Sequence, residues 1–471
     1  MPEDISSLQS QVLLLLDKVP VLEAKISELE AENKSLRDEN TSLKARLKLD
    51  STNSSKPPSS DGLTKKPAFP RPTNGKKGGQ FGHKGKTLEF ASNPDKVVEC
   101  KATHCTCGHD LSNEPSQTVA RRQEFDMPAP RLEVTEYRVL STRCSCCGLT
   151  HKGQFPTGIN APVQYGNGVK AFVSLLNNDC KLSVKKTQDL FNDLFGYSIN
   201  ENTIQTAVRI CYNKLESTEK LIINEILKAL AGHFDESGIR CQGKLYWLHV
   251  ACSEFYTYLF AHQRRGKEAI ESPQSILNDF HGWAIHDCWS SYFKIEHLKH
   301  GICNAHILRE LQAQIETDSQ WAIQFKSFLL ETFRTNLGVR ITNRINIEKR
   351  FDQIISIGQL EEPLPKITGK KGKLKRTKGR NLLERLEKYK TEVLAFAFNA
   401  EVPFTNNLAE RDLRPVKVKQ KVSGCFRTFD GASQYARIAG FVSTIRKNNL
   451  NVFNELCRIF NDTPSSLFET T

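Results

Sequence analysis

The sequence predicts a multidomain α/β protein, and three observations lead to that prediction. Leucines recur every seven residues near the N-terminus, cysteines occur in two close pairs further on, and a strand-rich segment beyond residue 231 carries carboxylates. A chain of 471 residues is also too long for one ordinary hydrophobic core. We therefore expect a coiled coil, a small metal-stabilised module and an α/β core, in that order.

Composition and charge limit the function before any motif is considered. The formal net charge is +13 and the pI is about 9.0, which favours a polyanionic partner such as nucleic acid. No apolar run approaches the roughly 20 residues that span a bilayer, and the N-terminus lacks the pattern of a signal peptide. Six of the 14 cysteines fall between Cys100 and Cys147. This clustering favours a metal site in a reducing cytoplasm over a disulfide scaffold.

The N-terminal segment is predicted to be a leucine-zipper coiled coil. The d positions of its heptads are Leu8, Leu15, Leu22, Leu29, Leu36 and Leu43. Asn33 and Asn40 occupy a positions, where asparagine favours a two-stranded coil of defined register, although Pro20 would break the first part. Oppositely charged flanking residues support a parallel homodimer. The alternative is a single amphipathic helix that packs on its own domain.

A basic linker rich in Ser, Pro, Gly and Lys follows the coiled coil. We expect it to be extended and to track DNA phosphates. The candidate contacts are Lys76, Lys77, Lys84 and Lys86. The stretch from Gly79 to Thr87 resembles a phosphate-binding loop, but Gln80 stands where that motif requires glycine, so nucleotide binding is not expected.

Two close cysteine pairs have the spacing of a zinc ribbon. Cys144 and Cys147 form a regular Cys-x-x-Cys pair, whereas Cys105 and Cys107 form a less regular one. His104 is the alternative first ligand. Thiolates at this spacing would be exposed to oxidation without a metal, so we expect one structural Zn²⁺ in a module with little core of its own.

Two helical segments leave their roles open. The first contains helices joined by Gly196-Tyr197-Ser198, and a helix-turn-helix that reads DNA is as compatible with it as a plain connector. The second contains the run Lys366 to Arg380, which carries eight Lys/Arg and no acid. That run is either a solvated loop or an insertion that contacts DNA.

Three carboxylates are notable because separate elements carry them. Asp235 lies by a strand, Asp287 ends a buried strand 52 residues later, and Glu410 lies on a helix 123 residues beyond that. Asn406 is expected to cap this helix and Pro415 to end or kink it. Two-metal phosphoryl transfer requires hard oxygen ligands that converge in this way on two Mg²⁺. A structural role for the acids is the alternative.

Three lysines follow Pro415 with a period of two, which places their charges on one side of an extended segment. These candidate DNA contacts are Lys417, Lys419 and Lys421. Glu410 would then lie at the head of a basic strip. A solvated amphipathic helix is the alternative.

Several motifs together resemble those of one protein family. They are Ser54-Ser-Lys-Pro-Pro-Ser-Ser-Asp61, Gly78-Gly-Gln-Phe-Gly-His-Lys-Gly-Lys-Thr87, the cysteine pairs, Asp235-Glu236, Asp287 with Tyr292, Cys303-Asn-Ala-His306 and Asn406-Asn-Leu-Ala-Glu-Arg-Asp-Leu-Arg-Pro415. On these motifs, the chain resembles the transposases of the insertion-sequence 66 family over almost its whole length. The family's first cysteine pair is usually Cys-x-x-Cys, and that register places His104 at the first position here.

The resemblance implies a ribonuclease-H-like catalytic core with an Asp-Asp-Glu triad and a helical insertion before the Glu. Residue by residue, the triad falls on Asp235, Asp287 and Glu410. These residues would hold two Mg²⁺ or Mn²⁺. Asn407 and Arg411 would shape the site around Glu410, and His306 would contact a phosphate or cap its helix.

The expected function is that of a DNA transposase of an insertion sequence. It would bind terminal inverted repeats in double-stranded DNA and catalyse strand cleavage and strand transfer in the bacterial cytoplasm. The coiled coil would pair two copies so that both ends are held, and accessory proteins of the same element are candidate partners. One alternative is a ribonuclease-H-like nuclease that cuts without joining. Another is a zinc-dependent, dimeric DNA-binding regulator with an inactive core.

The predicted domain boundaries complete this interpretation. They are 1–50 for the coiled coil, 51–95 for the linker, 96–160 for the zinc-ribbon-like DNA-binding module, 161–231 for the helical segment, 232–315 for the first part of the core, 316–400 for the basic helical insertion, 401–446 for the last part of the core and 447–471 for a helical tail.

Overall fold

The computed structural model describes residues 19–33, 36, 88–365 and 376–469. Several predictions concern residues outside these ranges, namely those for Leu8, Leu15, Asn40, Leu43, Lys76, Lys77, Lys84, Lys86 and the basic residues 366–375. The chain divides into two compact units. One comprises Met1–Lys65, Ala161–Asp189 and Ile199–Thr471, and the other comprises Lys66–Asn160 and Leu190–Ser198.

Helix α1 is described over residues 19–33, and Pro20 is itself helical. Its apolar heptad positions are solvent-exposed: Leu22 is 60%, Ile26 56% and Leu29 48% exposed. Residues at this spacing share one face of a helix. The described part of α1 therefore presents an apolar stripe to solvent.

The second unit contains two short antiparallel strands and tight turns. Strand β1 (Ser141–Arg143) pairs with β2 (Thr150–Lys152), with Arg143 opposite Thr150. Residues 88–160, all of which the structure describes, include no buried side chain. Apolar burial therefore contributes little to the stability of this stretch.

Four helices come next in the chain: α2 (Asn167–Ser174), α3 (Val184–Phe195), α4 (Glu201–Lys214) and α5 (Glu216–Leu227). Asn200 begins α4, since its side chain accepts a hydrogen bond from the Asn202 amide at 2.8 Å. The pattern predicts one helix from Thr203 to Leu230, but the structure has two. The backbone turns at buried Leu215, which lets both helices pack against the same core.

A five-stranded mixed sheet forms the centre of the first unit. Its strands are β3 (Ala231–Cys241), β4 (Lys244–Cys252), β5 (Thr257–His262), β6 (Trp283–His286) and β7 (Lys299–Ile302). Their spatial order is β5-β4-β3-β6-β7. The first three strands are antiparallel, and β6 and β7 continue the sheet parallel to β3. This order is consistent with the expected ribonuclease-H-like core.

Helix α6 (Lys267–Ile270) connects β5 to β6. The sequence pattern predicts a helical piece near Lys267 to Leu277, and the helix in the structure is shorter, since it ends at Ile270. Pro273 disfavours helical geometry at the preceding residue, which explains the early end.

A helical layer follows β7 in the chain. It consists of α7 (Asn304–Ile315), α8 (Gln320–Arg334), α9 (Leu337–Thr342), α10 (Arg344–Glu361), α11 (Lys378–Lys388), α12 (Lys390–Val393) and α13 (Ala395–Phe398). These helices bury Trp321, Phe325 and Phe351 in one core with Ile285 and Ile302 of the sheet. The described residues of 316–400 are thus mainly helical, as predicted.

Three helices complete the first unit: α14 (Asn407–Ser423), α15 (Phe429–Lys447) and α16 (Val452–Phe460). Helix α15 packs closely on β5, because a Cβ at Gly440 would lie only 3.0 Å from the Thr257 carbonyl oxygen. Helix α14 packs on β3 and β4. Among the described helices, none combines the length and apolar character needed to cross a membrane.

The prediction that Pro415 ends the helix is wrong, since α14 continues through it to Ser423. The alternative, a kink at Pro415, stays a prediction. Leu413 and Val416 flank Pro415 and are buried against the sheet, which offsets the lost backbone hydrogen bond. The extended segment predicted for the three lysines is therefore also wrong. At about 100° per residue, Lys419 points away from the side shared by Lys417 and Lys421.

Candidate active site

Asp235 and Asp287 are brought side by side by the register of two parallel strands. Strands β3 and β6 pair His233 with Ile285, an offset of 52 residues (285 − 233). The same offset separates Asp235 from Asp287 (287 − 235). Both carboxylates therefore lie at the same level on neighbouring strands, just beyond the last paired residues. Both were predicted, and their spacing in the sequence equals the register.

Asn406 ties the start of α14 to the middle of the sheet. Its side chain accepts a hydrogen bond from His233 Nδ1 at 2.8 Å and donates one to the Phe234 carbonyl at 2.8 Å. The backbone N–H of Asn406 donates a hydrogen bond to Cys303 Sγ at 3.0 Å. Asn406 was expected to cap the helix through its side chain. The structure instead uses that side chain to anchor the helix.

Glu410 lies one helical turn after this anchor. Its amide donates to the Asn406 carbonyl at 3.3 Å, so the turn is continuous with the anchored residue. Because Asn406 bonds to the residue just before Asp235, the anchored turn holds Glu410 near the two aspartates. Asp287 and Glu410 are thus close enough to Asp235 for their charges to act on it, although the ligand oxygens of the three acids do not all lie within 4.8 Å of one another.

The electrostatics of Asp235 reflect this convergence. Burial raises the pKa of the Asp235 carboxyl well above its usual range, and the negative charges of Glu236, Asp287 and Glu410 raise it further. The Glu236 amide donates to Asp235 Oδ1 at 2.8 Å and opposes this rise. The site thus concentrates negative charge that its own cations do not fully neutralise.

Asp287 is oriented from two sides. Its Oδ1 accepts a hydrogen bond from the Trp289 amide at 3.1 Å, and its Oδ2 lies 4.0 Å from Arg265 Nη2. The arginine is held in turn by two aromatic rings, since its guanidinium carbon is 5.1 Å from the Trp247 ring centroid and 4.4 Å from that of Trp289. Sequence reasoning missed Arg265, because the arginine is distant from every recognised motif.

The buried carboxylate of Glu236 lies close to both aspartates and is itself held by hydrogen bonds. Arg265 Nε and the Tyr292 hydroxyl donate to Glu236 at 2.6 and 2.7 Å. The Glu236 side chain is fully buried, and burial together with nearby Asp287 raises the pKa of its carboxyl. This network gives Glu236 and Tyr292, two residues of the recognised motifs, a positioning role.

Each carboxylate oxygen of Glu410 has one basic side chain nearby, but neither of these side chains is within hydrogen-bonding distance. Arg309 Nη2 lies 3.7 Å from Oε2, and His306 Nε2 lies 3.8 Å from Oε1. Glu410 Oε1 is buried and accepts no hydrogen bond from any residue that the structure describes. His306 was expected to contact a phosphate or cap its helix. It lies within α7 and faces Glu410 instead, and burial, aided by Arg309, lowers its pKa.

A divalent metal ion fits these residues. The three carboxylates are hard oxygen donors from separate elements, which suits Mg²⁺. Glu410 Oε1 has an open lone pair, and Asp235 is desolvated among like charges. A bound dication would satisfy the first and neutralise the second.

The other predicted residues around α14 have mixed surroundings. Asn407 and Arg411 are exposed beside Glu410, and Lys421 is exposed as well. Lys417 donates to the Gly238 carbonyl, and Lys419 donates to the Asn177 carbonyl at 2.8 Å. Burial lowers the pKa of Lys419 to about 8. Two of the three predicted DNA-binding lysines are therefore engaged within the protein.

The second unit shapes its cysteines into two similar turns. The Cys105 amide bonds to the His109 carbonyl, and the Cys144 amide bonds to the Leu149 carbonyl. A glycine with positive φ follows each pair, Gly108 at 92° and Gly148 at 75°. The backbone N–H of each glycine donates to the carbonyl oxygen of the first cysteine in its turn.

The two cysteine turns are not gathered into one ligand cluster. Among the described residues, the ligand atoms of Cys303, His306 and Glu410 lie within 4.8 Å of one another, and no three ligand atoms of this unit do so. Hydrogen bonds from Cys107 lower the pKa of Cys105, and those from Cys147 and Cys146 lower the pKa of Cys144. His104 lies beside the first turn and contacts the Thr103 hydroxyl at 3.1 Å.

A mixed sheet of this order, with Asp235 and Asp287 at the same level of neighbouring strands, is consistent with the ribonuclease-H-like core of metal-dependent phosphoryl-transfer enzymes. Comparison with known families identifies the family. The model described as the Transposase IS66 family matches residues 162–434, more than half of the chain, and the chain belongs to that family. Residues 13–89 match a family of unknown function, DUF6444. A search of curated proteins finds no match.

Proposed function

We propose that this transposase holds Mg²⁺ with Asp235, Asp287 and Glu410 and uses that site to cleave and join DNA strands at the terminal inverted repeats of its element. One observation carries the proposal. The β3–β6 register and the Asn406 anchor bring together three carboxylates that are separated by 52 and 123 residues in the sequence.

The residues of the site have distinct roles in this proposal. When bound, divalent ions (Mg²⁺ or Mn²⁺) supply charge neutralisation at the scissile phosphate and activation of the attacking water or 3′-hydroxyl. The Trp289 and Glu236 amides fix the orientation of Asp287 and Asp235. Arg309 lies 3.7 Å from one oxygen of Glu410, and the other oxygen is buried without a hydrogen bond from any described residue, so it is free to accept a cation.

The proposed DNA interface consists of exposed cations near the carboxylates. Arg411 and Lys421 are exposed on α14, the helix that carries Glu410. Such side chains bind phosphates without reading sequence. Lys417 and Lys419 would first have to leave their carbonyl partners, so we assign them a smaller share of the binding energy.

Dimerisation and zinc binding belong to the same proposal. The exposed apolar stripe of α1 supports a homodimer through the coiled coil, which would pair two DNA ends. The two cysteine turns, in a stretch without buried side chains, support a structural Zn²⁺ that draws them together.

The test is a comparison of Glu410→Gln with wild type and with Glu401→Gln, an exposed acid in the loop before α14. Glu410→Gln removes one charge and little volume. We expect it to bind labelled terminal-repeat DNA like wild type and to lose cleavage by roughly 10²–10³-fold, as happens when one preorganised electrostatic group is removed. Glu401→Gln should cleave normally.

Other outcomes point to the alternatives. Wild-type cleavage without joining would indicate a nuclease. Tight binding without cleavage in any variant would indicate a DNA-binding regulator. Normal cleavage by Glu410→Gln would contradict the triad.

A further inference from the structure

Cys303, His306 and Glu410 form a compact group of metal-ligating side chains. One ligand atom from each lies within 4.8 Å of the other two, and no other three His, Cys, Asp or Glu side chains among the described residues come this close together. The proposed phosphoryl-transfer site uses Glu410 but has no use for a thiol. The proposed Mg²⁺ site therefore does not explain why the Cys303 thiol and the His306 imidazole lie beside Glu410.

The distances fit ligands of one ion better than hydrogen-bonded partners. His306 Nε2 and Glu410 Oε1 are 3.8 Å apart, too far for a hydrogen bond. Ligands held tetrahedrally at about 2.0–2.3 Å from Zn²⁺ lie roughly 3.5 Å from one another. Glu410 Oε1 and His306 Nδ1 are both buried without a hydrogen-bond partner among the described residues. A bound cation would supply the missing partner of Glu410 Oε1, which His306 faces through Nε2, its other ring nitrogen.

The backbone positions these three side chains close together without a bound ion. Cys303 is the residue that begins α7, and His306 follows three positions later, so both side chains lie on one side of the first turn. Glu410 is brought to them by the Asn406 amide, which donates to Cys303 Sγ. Hydrogen bonds of this kind also stabilise a thiolate once a metal has displaced its proton.

We propose that Cys303, His306 and Glu410 bind one thiophilic divalent ion such as Zn²⁺. Thiolate and imidazole select Zn²⁺ over Mg²⁺, which prefers an all-oxygen site. Binding releases the Cys303 thiol proton to solvent and forms the metal–sulfur bond in its place.

This site would compete with catalysis for Glu410. A carboxylate that ligates Zn²⁺ beside the thiol is no longer available to the hard-ion site, so Zn²⁺ is an inhibitor of the Mg²⁺-dependent reaction. The inhibitory consequence rests on the proposed catalytic role of Glu410, whereas binding of the ion does not.

The first experiment measures Zn²⁺ binding to the full chain after chelation. It compares wild type with Cys303→Ser, His306→Gln and Cys211→Ser, the last being a matched change at a buried cysteine of α4. Cys303→Ser keeps an acceptor for the Asn406 amide. We expect all four proteins to bind one ion at the two cysteine turns. Wild type and Cys211→Ser should bind a second ion, which Cys303→Ser and His306→Gln bind at least tenfold more weakly. His306 is partly exposed, so His306→Gln preserves the test if Cys303→Ser does not fold.

Equal stoichiometry and affinity in all four proteins would overturn the site. The second experiment titrates Zn²⁺ into the Mg²⁺-dependent cleavage reaction, where Cys303→Ser should need at least tenfold more Zn²⁺ for half inhibition. Identical inhibition curves would overturn the competition for Glu410. An absence of all cleavage would count against the proposed function, and the binding experiment would still decide the zinc site.

Discussion

The carboxylate site and the cysteine turns show two different ways of bringing polar residues together. In the first, residues 52 and 123 positions apart meet because strand register and a packed helix hold them. In the second, neighbouring residues form tight turns whose hydrogen bonds are local, in a stretch without a buried side chain.

The carboxylate site and the cysteine turns differ in the interactions that stabilise them. Apolar cores on both faces of the sheet fix the carboxylates whether or not an ion is bound. The cysteine turns have no such support, and in our proposal a structural Zn²⁺ supplies their tertiary link. We therefore expect the site to be preorganised and the cysteine module to depend on its ion.

The largest expected effect is at the cysteine module. Cys144→Ser combined with Cys147→Ser should remove one bound zinc per chain, because a site with two of four ligands binds weakly. Cys146→Ser, in the same turn, is the control. Metal analysis and hydrogen exchange together make the measurement. Exchange should rise in residues 88–160 and stay unchanged in the sheet. Unchanged zinc content in the double variant would exclude the ribbon.

A smaller effect is expected at Asp412, two residues after Glu410. Its carboxylate bonds to Lys447 at 2.7 Å and to the Thr257 hydroxyl at 2.8 Å, and both charged side chains are at least 93% buried. Asp412→Ala should lower the free energy of unfolding by about 3–5 kcal/mol, since it leaves the charge of Lys447 buried with only the Ser253 and Tyr256 carbonyls as partners.

The control for Asp412 is a double replacement. Asp412→Leu with Lys447→Met should recover much of the stability in chemical denaturation, because neither charge then remains buried. If Asp412→Ala unfolds at the same denaturant concentration as wild type, the ion pair does not hold α14 to α15.

The smallest effect concerns His249 in β4. Burial lowers its pKa to about 4, below the usual value of about 6.5 for an unfolded chain. The unfolded state thus binds more protons between pH 4 and 6.5, so stability falls as the pH drops through this window. From pH 6.5 to 5.5 the loss is about 1 kcal/mol.

The variant His249→Phe should remove this contribution, and His262→Phe, at a half-buried neighbour in β5, is the control. Denaturation curves at both pH values make the measurement. An identical pH dependence in wild type and His249→Phe would contradict the assignment.

Much of the core could be predicted from the sequence. The strand-like segment, the carboxylates and the later helices follow from apolar patterning, and the 52-residue spacing of Asp235 and Asp287 equals the strand offset. Such features depend on burial, and burial leaves a periodic signal in the sequence.

The tertiary partners could not be predicted in this way. Local rules assign Asn406 to a helix cap and Pro415 to a helix end, but contacts with β3 and with the apolar core prevail at both positions. Arg265 approaches Asp287 from a segment that no motif marks, and Arg309 approaches Glu410 from one turn beyond the motif that ends at His306. Their roles depend on three-dimensional proximity, which a single sequence does not record.

The most direct test of the central claim is cleavage and strand transfer on a labelled duplex with the element's own terminal repeats. The assay compares wild type, Asp287→Asn and Asp279→Asn, the last at an exposed acid before β6, in the presence of Mg²⁺. If the parallel strands place Asp287 in the site, Asp287→Asn should lose both activities by roughly 10²-fold or more, and Asp279→Asn should lose neither. Equal activity in all three proteins would show that the carboxylates at the ends of β3 and β6 are not the catalytic site.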